Sequence, residues 1–228
     1  MSSTLNNPFY PILIICLLFA SVTQSQINLQ VGYSYSYANP KTNNDILRNY
    51  NRQNSWFTKS FKPIFGIQGA VLGLTYNWPK FSFGSQWTYR SKNLDSRGIS
   101  PIDQSEQSLK LIYVLQTYSL VLESKWEHIG VGLSFDINLL NIKEQLNHAN
   151  DKLDILKHRG IGNRVFLSIP LATMDFMQIS VQPFYQFQWT PFDLQNLAKS
   201  LNPSSNPMQK EEPFQLLGLT LMLNNGPQ

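Results

Sequence analysis

The side chains in this chain that could do chemistry are few, and most fall between the patterned segments. His148 and His158 lie near Asp151 and Asp154. A histidine beside a carboxylate can act as a base held by an orienting acid. Acyl chemistry would also want a nucleophile, and no serine occurs between Ser134 and Ser168. The spacing matches no catalytic motif, so solvent-exposed loop histidines are the simpler reading. His128 stands apart from this group, and none of these residues has metal-ligand spacing. No metal, no cofactor and no catalytic residue is therefore expected. Lys41, Arg48, Arg52, Lys59 and Lys62 offer a different chemistry, gathered in one stretch that also holds Asp45. Such cations pair with phosphates or carboxylates, and these five residues are read as contacts for anionic lipid.

These groups must be positioned by the rest of the chain, whose composition is unusual. Charged residues are only 14% of the 228, yet the mean hydropathy is −0.23. A soluble domain carries about 25% charge. Low charge without high overall hydrophobicity fits strands with one apolar and one polar face. The net charge of +4 comes without a dense basic run interleaved with aromatics, so no nucleic-acid partner is expected.

Residues 1–25 read as a secretory signal peptide. Phe9–Val22 is mostly apolar but shorter than the roughly 20 residues of a helical span, and Thr23-Gln24-Ser25 gives a small-x-small cleavage pattern. Cys16, the sole cysteine, lies in this stretch behind the bulky Ile15, a poor lipoprotein site. Residues 26–228 form one domain.

That domain alternates apolar and polar residues over eight segments: 27–38, 64–78, 81–90, 107–123, 128–139, 164–172, 176–189 and 213–223. In 128–139 one face carries Ile129, Val131, Leu133, Phe135, Ile137 and Leu139. The other carries Gly130, Gly132, Ser134, Asp136 and Asn138. Such a segment has the length needed to cross a bilayer as a tilted strand. Within 107–123 the apolar set changes from odd to even positions, and a bulge near Gln116 is expected there. Pro170 is expected at a strand end or bulge. Only Asp136 and Lys110 stand out as mid-strand charges.

The gaps alternate. Residues 79–80, 124–127 and 173–175 make tight turns, while 39–63, 91–106, 140–163 and 190–212 make long loops. This is the pattern of an even-stranded up-and-down barrel with periplasmic turns and external loops. Aromatics sort to both strand ends: Trp78, Phe81, Trp126 and Phe176 at the turns; Tyr35, Tyr37, Phe65, Trp87, Tyr89, Phe187 and Trp189 at the loops. Two interfacial belts do this. Short helices are expected in two loops, one between Asn141 and Gly160, the other carrying Leu194, Leu197 and Leu201. A secreted lipocalin-like barrel is the structural rival, but Gly, Ser, Gln and Asn make a poor soluble surface. An eight-stranded interior is filled by side chains, which argues against a diffusion pore.

With its signal peptide, Ile27–Ala38 opening the mature chain, Ser108–Leu122 turning into Ile129–Asn138 and Leu216–Leu223 closing it, the sequence resembles the Bacteroidota-type outer-membrane β-barrel domain family, small OmpX-like barrels. It departs at its end, Leu223-Asn224-Asn225-Gly226-Pro227-Gln228, where such barrels often finish on an aromatic residue. The resemblance implies an integral protein of the cell outer membrane. The fold class is all-β: an eight-stranded antiparallel up-and-down transmembrane β-barrel. The leading expectation is a non-enzymatic barrel that displays its loops for surface interaction or envelope integrity. A lipid A deacylase-like, lipid-modifying enzyme is the alternative. Expected partners are outer-membrane lipid and lipopolysaccharide, the barrel assembly machinery, and an extracellular or envelope protein.

Overall fold

A computed structural model describes residues 27–147, 151–174, 176–202 and 211–225; the expected signal peptide and His148 lie outside these. Eight long strands form a ring: β1 (Ile27–Ala38), β3 (Gly66–Asn77), β4 (Phe81–Ile99), β5 (Glu106–Lys125), β6 (Gly130–Leu146), β7 (Leu153–Met174), β8 (Met177–Gln188) and β11 (Leu216–Asn225). Each is antiparallel to both neighbours, and β1 closes the ring by pairing with β3 on one side and β11 on the other. The chain also forms α1 (Lys41–Gln53), the short β2 (Phe57–Lys59), β9 (Phe192–Asp193), α2 (Gln195–Leu201) and β10 (Glu211–Glu212).

Alternation sets which way each strand faces. On β1, Leu29, Val31, Tyr33, Tyr35 and Tyr37 are exposed, while Asn28, Gln30, Ser34 and Ser36 are buried. The same division runs round the ring, with Phe83, Leu120, Leu133 and Leu221 outside and Gln86, Ser119, Ser134 and Thr220 inside. The wall is thus apolar and the interior polar, the reverse of a soluble barrel. Trp78, Phe81, Trp126 and Phe176 are exposed at the turn end, as are Tyr35, Tyr37, Phe65 and Trp189 at the other. The register of β7 against β8 shifts between Pro170 and Ala172, where proline was expected to interrupt pairing.

Four strands run well past the ring. β4 and β5 stay paired to Ile99 and Glu106, and β6 and β7 to Glu144 and Leu153. Residues 91–106 and 140–163 are therefore mostly hairpin rather than loop. The helix expected between Asn141 and Gly160 does not form: β6 reaches Leu146 and β7 begins at Leu153. Cross-strand pairing wins over local helical spacing, because Leu140, Ile142 and Leu156 are buried as inward-facing strand positions.

The bulge expected near Gln116 is also absent. β5 pairs in unbroken register with β4 and with β6 through that position. The odd residues face inward along the whole strand, from Leu109 to Glu123. What changes is the surroundings. At Tyr118, Leu120 and Leu122 the apolar side is outside; at Leu109, Leu111, Tyr113 and Leu115 it is inside.

Beyond the ring these inward residues meet the two remaining loops in one apolar core. Ile46 and Leu47 of α1, Phe61, Ile64, Phe192, Leu194, Leu197 and Leu201 of α2, and Phe214 pack with Leu111, Leu140, Ile142 and Leu156. The helix carrying Leu194, Leu197 and Leu201 is thus present as expected, while α1 stands where a plain loop was expected. Pro40 occupies its N-cap and supplies no side-chain hydrogen bond. Glu212 does so instead, its Oε2 accepting from the amides of Thr42 (2.5 Å) and Asn43 (3.2 Å). The result is a cap seated over one end of the barrel.

Candidate functional site

The lumen is a packed polar core. Arg90 and Arg164 reach into it, 1% and 3% exposed, together with the fully buried Asp136. Arg164 donates through Nη2 to Gln86 Oε1 (2.6 Å) and through Nε to Ser134 Oγ (3.3 Å). Ser134 donates to Asp136 Oδ1 at 2.6 Å, and Gln86 Nε2 to Gln30 Oε1 at 2.9 Å. Arg90 donates to Ser34 Oγ, which also accepts from Thr220 Oγ1. Gly218 is paired with Phe184 and leaves room for its ring, where a Cβ would come within 2.6 Å. The Arg90 and Arg164 guanidiniums lie 5.3 and 5.9 Å from that ring's centroid, in cation–π range. Both arginines were missed as core residues. Arg90 ends the segment 81–90 on the polar face of Ser82, Gly84, Gln86 and Thr88, a phase the sequence already shows. Lys110 lies beyond the ring, opposite Asp95 and Gln145.

The five cations read as lipid contacts fall into two groups. Lys41, Arg48 and Arg52 are exposed on α1, on the face opposite Ile46 and Leu47, and Arg48 pairs with Asp45 at 3.2 Å. Lys59 and Lys62 lie beyond the helix, on the segment that returns to the wall. Two helix asparagines fix that segment. Asn51 exchanges hydrogen bonds with the backbone of Phe61, and Asn44 with that of Ile64. Tyr50 packs between Phe57 and Phe61; burial, with a smaller push from the Glu144 carboxylate, raises its phenol to about 12.

Lys59 and Lys62 share a groove of about 730 Å³ with Lys92, Asn93, Tyr35 and Phe65. Its shape follows from the pairing of β4. β3 pairs with β4 up to Ser91, and β2 joins that edge only at Arg97. Between those points residues 92–96 have no strand beside them on that side, and the groove fills the gap. Asp95 lines it and is engaged by Lys59 at 3.5 Å. The row Tyr35–Gln68–Ser91 crosses the wall just beneath. There the outward residues change from Leu74, Leu72 and Ala70 to Gln68 on β3, and from Trp87 and Tyr89 to Ser91 and Asn93 on β4. Lys92 was not singled out in the sequence, since the gap arises only when two strands end at different heights.

Of the described residues considered for catalysis, His158 and Asp154 are each engaged by other groups. His158 sits edge-on to Phe192, with centroids 5.9 Å apart. Asp154 is held by Lys157 at 2.6 Å and Lys143 at 3.6 Å, and these lysines, Lys157 first, keep its carboxyl below the ordinary range. His128 is exposed beyond β5, at the turn end. Among the described residues no group of three His, Cys, Asp or Glu side chains could hold a metal.

An apolar wall around a polar lumen is stable only where hydrocarbon surrounds it. No described helix is long and apolar enough to cross a membrane, and the crossing elements are strands. The chain is an outer-membrane β-barrel whose cap lies at the long-loop end.

No protein-family model matches the chain, and no curated protein matches its sequence. Among solved structures it is similar to Ail, the attachment invasion locus protein of Yersinia pestis, at 8% identity and a TM-score of 0.45, covering 86% of this chain and 97% of that one. Ail solved with the heparin analogue sucrose octasulfate matches at 7% and 0.44. Neisserial surface protein A matches at 9% identity and 0.44, covering 87% of this chain and 96% of that one. At such values the likeness adds nothing to the ring of paired strands, which carries the fold by itself.

Proposed function

We propose that this chain is a non-enzymatic outer-membrane barrel whose task is to hold a rigid external cap, and that the cap is its binding surface. One observation carries the reading: β4, β5, β6 and β7 continue past the wall and turn their apolar residues inward, giving the external part an apolar core that runs on to Phe166 and Phe184 in the lumen. A connection that merely closed a barrel would need neither the core nor Glu212 anchoring α1 across the mouth. The filled lumen speaks against a conducting role, since Arg90, Arg164, Gln86 and Gln30 occupy its cross-section.

Two surfaces of the cap offer themselves to partners. The exposed cations Lys41, Arg48, Arg52, Lys59 and Lys62 suit the phosphates of outer-leaflet lipopolysaccharide. The hairpin ends expose Ile99, Ile102, Leu146 and Leu153, apolar side chains that suit an extracellular or envelope protein. Delivery to the membrane falls to the barrel assembly machinery.

Surface crosslinking on intact cells tests display, comparing the full chain with one whose hairpins are shortened to the ring. The expected result is loss of crosslinked partners or of envelope integrity on shortening, with the barrel still inserted. Unchanged partners and an unchanged envelope would remove the display role. Mass spectrometry of lipid A with and without the protein is expected to show identical profiles; an altered profile would establish the lipid-modifying alternative.

A further inference from the structure

We infer that the groove beside β4 holds the phosphate-bearing headgroup of an outer-leaflet glycolipid, with Lys62 and Lys92 as its phosphate ligands. The inference rests on the reading above, in which the strands span an outer membrane with the cap outside.

Three independent features converge on this ligand. The first is height. The groove begins where the wall changes from apolar to polar, at the row Tyr35–Gln68–Ser91, and that is where lipid headgroups lie. An acyl chain below it would run along Val31, Leu72 and Leu74, all exposed on the wall. The second is charge. Three lysines line the groove against Asp95, and Lys59 already engages that carboxylate, which leaves two ammonium groups for an anion. The third is size. About 730 Å³ is far more than a free phosphate fills, and lies in the range of sites that enclose a sugar-sized group. Tyr35 and Phe65 give such a group two aromatic rings to rest on, while Asn93 and the unpaired β4 edge offer polar contacts.

Position matters as much as charge. Lys62 is held between Phe61 and Ile64, whose backbones are clamped to Asn51 and Asn44. Lys92 stands on β4 directly after the last residue paired with β3. The fold thus sets the backbone at both positions, and the missing strand beside residues 92–96 leaves Lys92 exposed to the groove.

The test uses the full chain reconstituted into nanodiscs containing a phosphorylated lipid A-type glycolipid or its dephosphorylated form. Lipid retained per barrel is counted by native mass spectrometry. The Lys62→Gln/Lys92→Gln double variant is expected to lose affinity for the phosphorylated lipid by about thirtyfold, at roughly fivefold per lysine. The Lys62→Arg/Lys92→Arg variant should keep it. Lys152→Gln/Lys199→Gln removes the same charge from elsewhere on the external face and should bind like the wild type. Equal losses in both glutamine doubles would mean a diffuse field and overturn the site. So would no loss, or equal binding of the dephosphorylated lipid. Displacement of the lipid by millimolar inorganic phosphate would make it a free-phosphate site and likewise overturn the inference. Heat-modifiable migration of each variant reports barrel folding, and surface biotinylation reports which side the cap faces. If those fail, the outer-membrane reading falls; if they hold and lipid retention does not respond, only the groove inference falls.

Discussion

Above and below the row Tyr35–Gln68–Ser91, one set of strands obeys two opposite rules. Below it Leu120 and Leu122 of β5 point away from the axis and Ser119 and Thr117 toward it. Above it Leu109, Leu111 and Tyr113 point toward the axis, while Lys110 and Ile112 lie on the outward positions. The backbone does not notice the change, since pairing with β4 and β6 is continuous. Alternation in sequence reports which residues share a face; whether the apolar face points in or out depends on what surrounds the strand. A switch of apolar parity without a bulge therefore marks the height at which a strand leaves the hydrocarbon. Here one strand serves as barrel wall and as external sheet, and the cap inherits the barrel's rigidity.

The largest expected effect separates the two cores. Leu111 and Ile142 are fully buried in the cap. Leu111→Ala or Ile142→Ala should cost about 2–5 kcal/mol through the cavity left behind, with the loss confined to the external part. Limited proteolysis should then cut within residues 39–65 or 189–202 much faster, while heat-modifiable migration of the barrel stays unchanged. Loss of that migration would show that cap and barrel unfold as one unit and that the division is artificial.

A second experiment reads the wall on the same face of the same strand. Leu120→Arg should cost about 2–4 kcal/mol in urea unfolding from lipid vesicles, because a charge would face hydrocarbon. Lys110→Leu, ten residues back and also outward, should stay within about 0.5 kcal/mol. If Leu120→Arg is as mild as Lys110→Leu, the wall around β5 does not face lipid.

Much of this was legible in the sequence. The eight segments fall on the eight ring strands, and β1 has the expected limits. Aromatics mark both rims, and Pro170 sits at the one register shift between β7 and β8. Legibility ended where a residue's role depends on something distant. Ile142 and Leu156 belong to a set at helical spacing and become strand residues because a partner strand and a core await them. Arg90 and Arg164 are cations that only a polar lumen makes tolerable. Lys59 and Lys62 were visible as cations, yet the groove needs Lys92 and the early end of β3. The N-terminus of α1 was hidden for the same reason: its capping carboxylate is 170 residues away.

That capping contact joins the first loop to the last and gives the smallest effect. Glu212→Ala removes the acceptor for the Thr42 and Asn43 amides and should weaken the helix start by about 1 kcal/mol. Hydrogen exchange at those two amides, corrected for its intrinsic rate, should speed up roughly fivefold. Burial raises the Glu212 carboxyl above its usual range, and the amide hydrogen bonds only partly oppose it. The folded state therefore holds the proton more tightly than the unfolded chain. Its contribution is largest below the unfolded carboxylate value, about 4.3, and declines as pH rises through the raised folded value. Protection at Thr42 and Asn43 should fall over that interval in the wild type. Glu212→Gln keeps an acceptor oxygen and has no charge to desolvate, so its protection should be flat with pH and at least equal to the wild type at neutrality. Wild-type protection that rises with pH would mean that the helix dipole attracts the carboxylate more strongly than burial penalises it. The cap would then be fastened to α1 by charge, with the hydrogen-bond geometry secondary.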